Sequence, residues 1–177
     1  MRFAYYDRLS RANKEIYRRS DAIETLGLPR ALELGLIVTA VEVALRRDDR
    51  TSVQSECARL IDALTAGYHV PSVVVRVMAK RPADNYGELH GLYEPGEKKG
   101  SRARITVWMR TAQRQQVVAF RTFLRTLIHE LCHHLDYELF SLEETFHTEG
   151  FYKRESTLVN ALLAQSNGQA SAPGAGP

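Results

Sequence analysis

The sequence predicts an α+β domain, and three features carry that prediction. Segments of helical period fill both ends of the chain. Short β-branched or alternating segments lie between them, and the longest helical segment follows the last of these. The expected architecture is a short three-stranded sheet packed on one long helix, with an N-terminal three-helix segment and a C-terminal helix. A chain of 177 residues, 44% hydrophobic and 25% charged, can bury such a core without staples. That composition excludes collagen-like, disordered and disulfide-framework chains.

In order along the chain, residues 5–26 read as a first helix. Tyr5, Leu9, Ala12, Ile16 and Ile23 recur at helical spacing, and Gly27 and Pro29 end it. A second helix spans 30–47, with Leu32, Leu36, Ala40 and Val43 as its stripe. Thr51 is the candidate cap of a third, whose Val53, Cys57, Leu60, Ile61 and Leu64 point inward. Val70-Pro-Ser-Val-Val-Val-Arg-Val-Met is β-branched and reads as a strand. Gly87–Tyr93 is a weaker strand, followed by a turn at Pro95-Gly-Glu-Lys-Lys-Gly. Residues 102–110 alternate, with Ala103, Ile105, Val107 and Met109 on one face. A long helix over 114–140 presents Val117, Phe120, Leu124, Leu127, Ile128, Leu131 and Leu135. A loop at 141–148, which Thr148 can end as a cap, leads to a helix over 149–165. The tail, 166–177, has only Ala as an apolar residue and is expected to be disordered. The expected division is 1–66 as a helical segment, 67–165 as the core and 166–177 as tail.

Charge is unevenly placed. Residues 76–125 hold 11 Lys/Arg against 4 Asp/Glu, and residues 130–155 hold 2 against 7. The basic stretch is a candidate nucleic-acid surface. No apolar run is long enough to span a bilayer, and the first residues lack a secretory signal. With only Cys57 and Cys132, reduced thiols and a cytoplasmic location are expected.

The chemistry concentrates at His129-Glu130-Leu131-Cys132-His133, inside the long helix. At about 100° per residue, His129 and His133 differ by about 40°, so their imidazoles share one face. Two such nitrogens one turn apart grip a tetrahedral metal, for which zinc is the usual occupant. Glu130, about 100° away, can flank the metal and take a proton from the water it activates. A third ligand is then required, with a fourth position left open. His147 is the first candidate, in a loop long enough to fold back, and Glu155 and Glu149 are alternatives. Asp136 lies on the metal face, as an orienting acceptor or as an anchor for the last helix. His134 and Cys132 read as structural. Tyr86, His90, Tyr93, Tyr152 and Arg154 are candidate donors to a developing oxyanion.

With these residues in hand, the chain resembles a zincin metallopeptidase. It is most similar to the SprT-like, Spartan-type group, whose pattern continues to a third His followed by Gly or an aromatic residue. Here that reads His147-Thr-Glu-Gly-Phe-Tyr. The resemblance implies one zinc per chain on His129, His133 and His147, with Glu130 as general base. It also implies a protein or peptide substrate paired to an edge strand, either Gly87–Tyr93 or Ile105–Met109. A second resemblance, to minigluzincin-type proteins, would make Glu155 the third ligand. The metzincin pattern fails, because Asp136 and Leu139 stand where its Gly and His belong. The rival expectation is a zinc-containing module that binds nucleic acid or protein without catalysis. The first three helices are expected to pack on the core, with gating and dimerisation as alternatives.

Overall fold

The computed structural model describes residues 3–29, 34–84, 87–96 and 101–170. Its helices flank a small mixed sheet. A 3-10 turn, Tyr6–Arg8, precedes α1 (Arg11–Ala22). Then follow α2 (Gly35–Arg46) and α3 (Arg50–Gly67), the strands β1 (Val74–Lys80), β2 (Ala83–Asp84), β3 (Gly87–Glu88), β4 (Gly91–Glu94) and β5 (Arg104–Arg110), and the helices α4 (Phe120–Glu138) and α5 (Glu149–Ala170).

Strand order is β1-β5-β4, with β1 parallel and β4 antiparallel to the central β5. β5 is therefore closed on both sides, and Ile105–Met109 is not an edge. The outer edge of β1 is closed by a side chain. Gln54 of α3 donates from Nε2 to the Val75 carbonyl at 2.9 Å and accepts from the Val77 N–H at 2.7 Å. Its amide copies a neighbouring strand's pair of bonds. Among the described residues, no strand pairs with the far side of β4. The expected Gly87–Tyr93 strand divides in two, because β3 turns away to pair with β2.

The core forms where β1 and β5 meet α4. Val75, Val77, Ile105, Val107 and Met109 are buried with Leu124, Leu127, Ile128, Leu131 and Leu135. Val38, Val41, Leu60 and Leu64 from α2 and α3 join the same cluster, as do Phe151, Leu158 and Leu162 from α5.

Several element limits differ from the sequence reading. α1 starts only at Arg11, because Ser10 caps it by accepting the Asn13 N–H. α3 is capped by Asp49 rather than Thr51. α2 buries Val38, Val41, Ala44 and Leu45 and exposes Leu36 and Val43, the opposite side from the expected stripe. Residues 111–119 are not helical. They turn back so that Val117 bridges Arg110. α5 runs past 165 to Ala170, with Ser166 buried, and 171–177 lie outside the described residues. No helix among the described residues is long and apolar enough to cross a membrane.

Candidate metal centre

α4 carries His129, Glu130 and His133, as the helical spacing requires. The chain leaves α4 through Ser141, whose φ of 50° reverses its direction. Leu142 is then buried, and its N–H bonds the Asp136 carbonyl, which pins the loop to the helix it has just left. Thr148 caps α5 by accepting the Phe151 N–H at 2.9 Å. His147 is thereby fixed between two anchored ends, facing α4.

The three imidazoles converge. His147 Nε2 lies 3.0 Å from His129 Nε2 and 3.1 Å from His133 Nε2. Their ligand atoms form a cluster able to hold a metal ion. Imidazole nitrogens bound to one tetrahedral zinc stand about 3.3–3.4 Å apart, from Zn–N bonds of about 2.0–2.1 Å. The donor set therefore fits within a few tenths of an ångström. Beneath it, the fully buried Phe151 ring sits 4.8–5.3 Å from all three imidazole centroids.

Hydrogen bonds set the tautomers of the two helical histidines. His129 Nδ1 meets Glu155 Oε2 at 2.8 Å, so Nδ1–H donates and Nε2 keeps its lone pair. Glu155 is nearly fully buried, and its other oxygen takes Arg125 Nη1 at 2.5 Å. His133 Nδ1 meets Thr145 Oγ1 at 2.8 Å. The Thr145 hydroxyl already donates to Asp136 Oδ2 at 2.8 Å, so His133 must be the donor in its own bond. Both residues thus turn an unprotonated Nε2 to the common point. Burial pushes the His133 pKa down to about 3 and lowers that of His147, which keeps both neutral at ordinary pH. Neutral imidazole is the ligand form.

Asp136 links the Thr145 loop to the last helix. Its other oxygen accepts Arg154 Nη2 at 2.5 Å, and neither side chain has any exposure. Burial raises the Asp136 carboxyl above its ordinary value, and Arg154 and Thr145 offset part of that rise.

Glu130 is buried beside the trio, and burial pushes its pKa up to about 7. The Tyr93 main chain offsets part of that rise. A Cβ on Gly91 would fall 2.2 Å from Glu130 Oε1, so any side chain there would force the Glu130 carboxylate to shift. The centre opens on a cleft of about 770 Å³, walled by Leu89–Tyr93, floored by α4 and closed opposite by His147 and Tyr152.

The alternative ligands are engaged elsewhere. Glu155 supports His129 from behind, and Glu149 pairs with Lys153 near the surface. Arg154 is buried against Asp136 and cannot meet a substrate. The Tyr93 hydroxyl donates to His134 Nδ1 at 3.2 Å, and His134 Nε2–H donates to the Pro71 carbonyl at 2.8 Å, so both residues tie strands to helix. Cys132 is buried and free, as expected. His90 and Tyr152 line the cleft, and Tyr86 lies outside the described residues. Thr145 escapes sequence reasoning altogether, since one threonine in an acidic loop carries no spacing signal.

Comparison with protein-family models, with curated proteins and with solved structures returns no match. What the site can do must follow from its own geometry.

Proposed function

We propose that this protein is a zinc-dependent peptidase in which His129, His133 and His147 hold the metal and Glu130 is the general base. One observation carries the proposal. Unprotonated imidazole nitrogens converge beside a buried carboxylate at the wall of an open cleft. A zinc ion held there supplies an acidified water and polarises the substrate carbonyl.

The chain's own groups supply the remainder. Glu130, with a pKa near neutrality, is matched to both halves of a proton transfer. It takes a proton from the attacking water and returns it to the amide nitrogen as the C–N bond breaks. Phe151 backs the site from the interior, and the cleft opens in front of it. An extended polypeptide can lie along β4, the edge that carries Gly91 and Tyr93. Among the hydroxyls considered for the oxyanion, Tyr152 stands at the cleft with its ring stacked on His147. The likeness to SprT-like zincins belongs to this proposal. So does a cytoplasmic setting, supported by two free and buried cysteines.

No observation favours the nucleic-acid reading of the 76–125 stretch. Arg81, Arg104, Arg110 and Arg125 each face a carboxylate: Glu88, Glu94, Asp48 and Glu155 respectively.

The test combines metal analysis with cleavage of an unfolded protein substrate. Wild type should hold one zinc per chain. Glu130→Gln should keep the zinc and lose roughly 10²–10⁴-fold in rate. Equal cleavage by the two proteins, or a wild type without tightly held metal, overturns the proposal.

A further inference from the structure

The N-terminal segment has no part in the chemistry above, yet its polar contacts converge on the chain that delivers the third histidine. Tyr5 Oη donates to the His147 carbonyl at 2.8 Å. The rings of Tyr5, Tyr17 of α1 and Phe146 of the ligand loop pack on one another, with centroids 6.0–6.5 Å apart. Arg154 Nη1 donates to the Ser20 and Ile23 carbonyls at the end of α1, at 2.9 and 3.1 Å, and Nη2 also reaches Ser20 Oγ at 3.0 Å. Gly150 touches α1 so closely that a Cβ there would fall 2.3 Å from the Asp21 carbonyl oxygen. Its N–H donates to Asp21 Oδ1 at 3.0 Å. Arg19 holds the same loop from outside, through Glu143 and the Ser141 carbonyl.

These contacts lead inward without a gap. The α1 carbonyls fix Arg154, Arg154 fixes Asp136, Asp136 takes the Thr145 hydroxyl, and Thr145 takes the His133 Nδ1–H. From the other direction Tyr5 holds the backbone of His147 itself. Groups behind a ligand set its tautomer and ring orientation, and losing them weakens metal binding.

We infer that residues 3–23 are a brace for the metal centre: Tyr5 positions His147, and the end of α1 positions His133 through Arg154, Asp136 and Thr145. Tyr5, Arg154 and Thr145 are positioning residues. The inference rests on the metal-centre reading but not on peptidase activity.

The test uses the full chain loaded with cobalt(II), whose visible d–d bands report ligand geometry. Affinity is measured by competition with a chelator. The variants are Tyr5→Phe, Thr145→Val, Thr145→Ser and the double variant Tyr5→Phe/Gly150→Ala, whose added methyl meets the Asp21 carbonyl and pushes the end of α1 off α5. Thr145→Val should weaken cobalt binding roughly 10–100-fold and alter the d–d bands, and Thr145→Ser should restore both. The double variant should bind roughly tenfold more weakly, with altered bands. An affected Thr145→Val beside an unaffected double variant would confine the support to the loop and overturn the brace. A double variant that melts earlier when metal-free, yet binds cobalt with unchanged affinity and bands, would also overturn it. A wild type that binds no cobalt would remove the metal centre and the brace together. A wild type that binds cobalt but cleaves nothing would remove only the peptidase.

Discussion

The trio of histidines has a front and a back, and the two are built differently. At the back, Asp136 and Arg154 are buried, and they join Thr145, His133 and α1 in one continuous network. At the front, Glu130 has a raised pKa and an open cleft beside it. A buried, partnered network fixes geometry, because each missing partner leaves a charge or dipole stranded. A carboxylate with few partners can change protonation and position cheaply. The back therefore resists change through stability, and the front is vulnerable through chemistry.

The largest predicted effect tests the back. Asp136→Ala strands the Arg154 charge in the interior and should cost about 3–5 kcal/mol, read by urea denaturation of the metal-free protein. A loss below about 1 kcal/mol would mean that water reaches Arg154, and the contrast with the front would collapse. The front is next. Gly91→Ala drives a methyl into Glu130 and should lower cleavage about 10²-fold with metal content unchanged. If metal is lost as well, front and back are not separable.

The third prediction uses pH. His133 stays neutral in the folded protein down to about 3, whereas the unfolded chain protonates it below about 6.5. As pH falls from about 6.5 the unfolded state binds the extra proton, so stability is lost. The slope approaches about 1.4 kcal/mol per pH unit for one proton. Glu130 acts oppositely, since its raised pKa makes the folded state take up a proton between about 7 and 4.5. Comparing metal-free wild type with His133→Gln isolates the histidine, and the variant's acid slope should be shallower. The smallest effect belongs to the rim of the brace. Lys153 meets Glu24 at 2.8 Å with both side chains well exposed, so Lys153→Ala should leave the urea midpoint of the metal-free protein essentially unchanged.

The elements legible in the sequence were those whose pattern allowed one answer. The alternating face of β5 is buried as read, at Ala103, Ile105, Val107 and Met109, although Thr106 and Trp108 on the other face are buried too. α4 places His129 and His133 together because their spacing leaves no other face. α2 was misread because apolar residues surround most of its circumference. Only the packing of α3 and α5 decides that Val38 and Val41, rather than Leu36 and Val43, face inward. Periodicity also ran the first helix through Ser10, whose side chain instead starts it. At the site, His147 was legible as a histidine one loop away from the helix. The use of Glu155 behind His129, and of Thr145 between His133 and Asp136, depends on atoms brought together from distant positions. The role of residues 3–23 was illegible for the same reason, since Tyr5 and His147 stand 142 positions apart.

The Gln54 amide that seals β1 has a consequence at the opposite side of the sheet. With that exit shut, β4 offers the sheet edge left unpaired among the described residues. Gly91, where β4 comes closest to the Glu130 carboxylate, stands on that same edge. Whatever lengthens the sheet there settles beside the buried carboxylate.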